Sequence, residues 1–242
     1  MKPPESGTFK AVRLPEPQTT SCRCFGVVDL GTVDNTFPGK PPQRDRKLII
    51  MWELPKLTAV FSEEKGEQPF MLMKEFKFST HVDSNFSKLI SAWRNKPLTE
   101  EEKRSFDPTQ MINKIGLASF QHKRKAKYNS AEIPLDQITN ENTSLVLNSI
   151  GPLPAEMKAS MVPMVNEPIV WDWDEITEKG QPFDKEKFSK VFKFLRTKIY
   201  TSDEFQACPT AVNVDSDQPA DNTPAASSGQ PSQGDVGGDD WS

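Results

Sequence analysis

The stretch Asp83–Arg94, DSNFSKLISAWR, decides the fold. Its apolar residues Phe86, Leu89, Ile90 and Trp93 fall at i, i+3, i+4 and i+7, one stripe of an amphipathic helix. Asp83 or Ser84 can accept a hydrogen bond from the first free backbone N–H groups. Asn95-Lys96-Pro97 ends the helix, because proline has no N–H to continue the ladder. Strand-like runs precede it at Ser21–Val33, Arg46–Leu54 and Phe70–Thr80, and two follow at Ile115–Lys123 and Lys127–Ile138. Three strands, a helix and two strands is the chain order of an OB-fold, a small five-stranded barrel with its helix between strands three and four. The expectation is a mainly β protein whose barrel spans residues 20–150.

The rest of the chain reads as additions to that barrel. Residues 1–19 are proline-rich and polar, a flexible N-terminal arm. Within the first strand Gly26 is placed for a bulge or bend. The second, RKLIIMWEL, carries Leu48, Ile50, Trp52 and Leu54 on one face, yet Ile49 and Met51 on the other are also apolar. Residues 151–168 form a Pro/Met-rich linker. A C-terminal helical extension covers 169–202; Phe188, Val191, Phe192, Leu195 and Ile199 make a helical stripe over Phe183–Tyr200, to dock on the barrel or on a second copy. Residues 203–242 hold eight acidic residues and no Lys or Arg, and their low complexity predicts a disordered acidic tail.

Composition narrows the function. With 35% apolar residues and 21 prolines, the chain is too polar to be folded throughout. No apolar run approaches the roughly 18 residues that cross a bilayer, and MKPPESGTFK lacks a signal-peptide core; a cytoplasmic protein without a membrane partner is expected. Cys22 and Cys24 share a strand face and Cys208 is remote, which fits reduced thiols better than zinc or a disulfide. Charge divides along the chain. Residues 1–150 hold 22 Lys and Arg against 18 Asp and Glu, a balance of +4, whereas 151–242 hold 8 against 16, a balance of −8. Walker, HExxH, G-x-S-x-G and dinucleotide motifs are all missing, so neither an enzyme nor a cofactor is expected. His81 and His122 are isolated. Asp172, Asp174 and Glu175 in WDWDE can bind a divalent cation, but an acidic turn between two anchoring tryptophans fits better, and no metal is expected.

The basic residues carry the functional signal. Lys123, Arg124, Lys125 and Lys127 crowd the turn between the last two expected strands. Lys40, Arg44, Arg46 and Lys47 crowd the loop between the first two, and Lys77 ends the third. In OB-folds these two loops flank the ligand face. Single-stranded nucleic acid needs cations for its phosphates and aromatic faces for its bases, and Phe37, Phe120 and Tyr128 stand beside the clusters. For each cluster the plainer reading is a solvated run of charge, and for Phe120 a place in the core.

VVDLGTVDNTFPGKPPQRDRKLIIMWELP (27–55), SKLISAWRNKPLTEEE (87–102) and NEPIVWDWDE (166–175) together resemble small phage and prophage proteins. These are uncharacterised or described as single-stranded-DNA-binding proteins of replication and recombination modules. The chain end, with Asp235, Asp239, Asp240 and Trp241, similarly resembles the partner-recruiting tails of single-stranded-DNA-binding proteins, although its last residue is serine where many end in phenylalanine. The resemblance implies a phage replisome or recombination accessory protein in the cytoplasm of a bacterial host, and together with the basic clusters it gives the expectation of a sequence-tolerant binder of single-stranded DNA. Its tail would recruit replication or recombination proteins and compete with DNA for the basic groove. It transfers no catalytic residue, and self-association into a homo-oligomer stays open. The alternative is an adaptor or recombinase-loading factor whose barrel grips a protein.

Overall fold

The computed structural model describes residues 11–36, 38–128, 132–158 and 163–215. Its strands are β1 (Thr19–Asp34), β2 (Arg44–Ser62), β3 (Gly66–Lys77), β4 (Ile115–Arg124), β5 (Thr143–Gly151) and β6 (Ile169–Trp171). They form one mainly antiparallel sheet in the order β3-β2-β1-β4-β5. β4 pairs with the first part of β1, Thr19–Arg23. Further along, β6 pairs in parallel with Gly26–Val28. The sheet curls without closing. Among the described residues no backbone ladder joins β3 to β5, and Lys74 Nζ, 3.5 Å from Leu147 O, reaches across that gap.

Helix α1 (Asn85–Arg94) lies between the third and fourth strands, as its stripe predicts. Ser84 caps it by accepting from Ser87 N at 3.0 Å, and Asn95 ends it in the left-handed conformation at φ 53°. Phe86, Leu89, Ile90 and Trp93 are buried, and Trp93 Nε1 donates to Ile115 O at 2.8 Å, tying the helix to β4. Thr99 and Glu102 form a capping box at the start of α2 (Glu100–Arg104).

The sheet has a core on each face. Cys22, Cys24, Val27, Leu48, Ile50, Trp52 and Leu72 pack beneath α1. Phe25, Val28, Leu30, Ile49 and Met51 pack on the opposite side against the C-terminal extension. Register shifts flank Phe25 and Leu30, the residues that bend β1 and turn extra apolar side chains outward. The extension contributes Trp171, Trp173, Phe183, Phe188, Leu195 and Ile199 to this second core. It contains α4 (Asp174–Thr177), α5 (Lys185–Ser189), α6 (Lys193–Ile199) and α7 (Asp203–Ala207), preceded by the one-turn α3 (Ala155–Lys158) in the chain linking β5 to β6. Gly31 is needed where α7 starts. Its φ is +76°, and a Cβ there would come within 2.8 Å of Ser202 Cβ.

Five expectations change. The last strand of the antiparallel run is Thr143–Gly151, not Lys127–Ile138; Pro134 cannot donate to a ladder, and Leu135–Gln137 forms a 3-10 turn instead. The helix expected over Phe183–Tyr200 breaks into α5 and α6 at Phe192, whose φ −54° and ψ 137° are extended. The break holds because Arg196 Nη1 bonds the carbonyls of Ser189 (2.9 Å) and Val191 that it leaves free. The linker is anchored at residues 165–166: the fully buried Glu53 carboxylate accepts from Asn166 N at 3.0 Å and Asn166 Nδ2 at 2.9 Å. Residues 203–215, expected in the tail, are folded. Within the expected N-terminal arm, Leu14 is buried, and its N–H donates to Ile138 O at 3.1 Å. No helix among the described residues is long and apolar enough to cross a membrane.

Candidate nucleic-acid interface

The basic residues near the first loop are tied up by carboxylates. Arg44 Nη2 donates to Asp203 Oδ1 at 2.6 Å and to Thr32 O at 2.9 Å. Arg46 grips the buried Asp29 through Nε at 2.9 Å and through Nη2, reaches Asp174 Oδ1 at 2.6 Å, and stacks 5.5 Å from the centre of the Phe78 ring. Burial disfavours the Arg46 cation, but hydrogen bonds and charge from Asp29 and Asp174 outweigh this and raise its pKa. Burial pushes Asp29 up despite those bonds. Lys47 Nζ donates to Asn35 Oδ1 at 3.0 Å and lies 3.7 Å from Glu75. Lys77 pairs with the buried Asp45 at 2.6 Å. Lys40 is exposed in the loop, and Phe37 lies outside the described residues.

This arrangement also explains WDWDE. Trp171 and Trp173 are buried anchors, and Asp174 is the second carboxylate on Arg46. Carboxylate oxygens of Asp29, Asp172 and Asp174 lie within 4.8 Å of one another. A guanidinium, however, already bridges two of the three. Asp172 is raised, chiefly by burial and then by its carboxylate neighbours. Glu175 pairs with Lys187 at 2.5 Å.

The other cluster is disposed differently. Lys123 and Arg124 are exposed at the end of β4, opposite Ser144 and Thr143. Lys125 is half-buried; its Nζ donates to Asn140 O at 2.8 Å, and burial lowers its pKa against the pull of Glu141. Lys127 is exposed, its ammonium 5.6 Å from the centre of the half-buried Tyr128 ring. Phe120 is a correction. It is 2% exposed and packs in the core under α1, so it presents no face to a base.

The structure does not bring the two clusters together. β4 pairs with the beginning of β1 and the start of β2 with its end, so the loops lie at opposite ends of that bent strand. The outer face of β1 and β2 between them is covered by the extension. Three of the eight acids of 203–242 serve this packing. Asp203 holds Arg44; Glu204 accepts from Thr32 N at 2.6 Å; Asp215 pairs with Arg196 and accepts from Tyr200 Oη at 3.0 Å. Asp235, Asp239, Asp240 and Trp241 lie outside the described residues. Sequence reading missed Asp29 and Glu53, buried acids inside strands; their signal was a carboxylate interrupting an otherwise apolar run.

Fold and site together define a curled, mainly antiparallel sheet with a cationic tip at one end. Compared with family models, curated proteins and solved structures, the chain matches none.

Proposed function

We propose that the chain is a sequence-tolerant single-stranded-DNA-binding protein of phage replication or recombination, working in the host cytoplasm. Its sheet is an OB-fold variant left open between β3 and β5. The strand order, with a helix between the third and fourth strands, supports the fold reading. The observation that carries the function is the tip at the end of β4, where Lys123, Arg124 and Lys127 are exposed and the Lys127 ammonium stands over the Tyr128 ring. That is the combination of phosphate cations and a stacking face that a single strand needs. Arg44, Arg46, Lys47 and Lys77 leave the interface, because phosphates would have to displace carboxylates already bonded to them. The acidic chain end recruits replication or recombination proteins, and the protein itself catalyses nothing.

A salt titration of binding to fluorescent oligo-dT tests the reading. Binding should weaken steeply with salt, and Lys123→Ala/Arg124→Ala/Lys127→Ala should flatten the log–log slope by roughly 2, at about 0.7 per lost phosphate contact. A folded triple variant with the wild-type slope would move the interface elsewhere. Wild type with no salt-dependent binding would favour the adaptor.

A further inference from the structure

The tip at the end of β4 shares a wall with a second cationic feature. Residues 13–16 run beside the tip: Arg13 bridges Thr139, and His122 Nε2 lies 2.8 Å from Pro15 O. The neighbouring Asn140 accepts from Lys125 Nζ through its carbonyl and from Val12 N (2.9 Å) through its side chain. The same residues 13–16 form one side of a groove of about 500 Å³, and Lys56–Ala59 of β2 form the other. Leu14 and Phe70 are buried beneath it, and Leu57 and Pro15 are half-buried along it. Arg13 and Lys56 are both exposed, and neither side chain pairs with any described residue. Glu16 is the one carboxylate in the lining.

We infer that this groove is a second subsite for the single strand, continuing its path from the tip across the end of the sheet. Arg13 and Lys56 take phosphates while bases lie against the half-buried Pro15 and Leu57. The inference rests on the tip being a nucleic-acid contact. Cations above an apolar floor are what a sequence-tolerant strand binder requires, and the volume falls in the range that admits a ligand about the size of a nucleotide. The contrast with the first loop supports the choice. There every arginine already has a carboxylate; here two exposed cations have none among the described residues. The shared wall gives a strand a continuous surface from Lys123 and Arg124 to Lys56.

The test uses the full chain and oligo-dT of graded length. Arg13→Gln/Lys56→Gln should reduce the salt slope by roughly 1.4, at about 0.7 per lost contact, on long oligonucleotides only. The shortest ones, which reach no farther than the tip, should bind as to wild type. Glu16→Gln removes the opposing charge and should tighten binding to long oligonucleotides at low salt, a gain that loss of structure cannot mimic. A folded double variant indistinguishable from wild type at every length would overturn the groove while leaving the tip intact. Loss of binding in the tip variant at all lengths, with the groove variant affected at long lengths alone, is the expected pattern. If wild type binds no oligonucleotide, the tip reading and the groove fall together.

Discussion

Arg44, Arg46, Lys47 and Lys77 gather where β2 starts and β3 ends, and Lys123, Arg124, Lys125 and Lys127 gather where β4 ends. Along the chain the two groups look alike, each a short basic run beside an aromatic residue. In the fold the first is a fastener. Its cations reach Asp29, Asp45, Glu75, Asp174 and Asp203, and through Asp174 and Asp203 they clamp the C-terminal extension to the sheet. The second spans the last paired residues of β4 and the start of the connection that follows, with Lys123, Arg124 and Lys127 exposed. The difference teaches that a basic cluster whose anions the fold already supplies is a fastener, however much it looks like a binding site in the sequence. A carboxylate buried beside a guanidinium makes the pair structural, because separating the two strands a desolvated charge.

The largest effect should come from breaking the fastener at its most buried member. Arg46→Ala leaves Asp29, whose side chain is 5% exposed, without its cation, and should cost about 3–5 kcal/mol of stability in denaturant titrations. Oligo-dT affinity of the protein that remains folded should not change. Wild-type stability in this variant would return Arg46 to the candidate interface. A smaller effect, of the opposite kind, is expected at the tip. Tyr128→Ala should cost about 1–3 kcal/mol of oligo-dT binding if its ring stacks on a base, with the thermal midpoint little altered. A large drop in midpoint with affinity intact would make Tyr128 a packing residue and erase the contrast.

The smallest effect is electrostatic and belongs to the fastener. Burial pushes Asp45 up, but hydrogen bonds from Lys77, Gln43 and Asn35 outweigh it and hold its pKa below the ordinary value. The folded state therefore favours the carboxylate. Its contribution is complete above the usual aspartate pKa of about 3.9 and is lost as pH falls through the lower folded value. Lys77 is 56% exposed, so solvent screening limits the pair to under about 1 kcal/mol. The stability gap between wild type and Asp45→Asn should accordingly narrow from pH 6 to pH 3. A gap that widens in acid would mean that Asp45 is favoured in its protonated form.

The helix Asn85–Arg94 was legible, and its cap was narrowed to Asp83 or Ser84, because stripe and cap are local, set by the 3.6-residue period and by one side chain reaching three residues on. The first four strands were legible from their alternation. β5 was missed because Tyr128–Ile138 offers apolar residues interrupted by a proline, and Thr143–Gly151, which alternates better, followed an unexpectedly long connection. The apolar second face of β2, Ile49 and Met51, announced that something covers it. The covering helices were visible as stripes, but their break at Phe192 was not, since it depends on Arg196 folding back to satisfy carbonyls.

For the candidate site the division is sharper. By itself the sequence determined where cations, carboxylates and aromatics occur, and that two basic runs stand beside strands. Only the tertiary structure decided that the first run is neutralised: Arg44 meets Asp203 across 159 residues, and Arg46 meets Asp174 across 128. It likewise buried Phe120 and left Arg13 and Lys56 exposed on facing walls of one groove. Periodicity fixes the face on which a side chain emerges, because it follows from backbone geometry a few residues long. The partner that a charge meets on that face is set by how distant segments pack, and no local pattern carries that information.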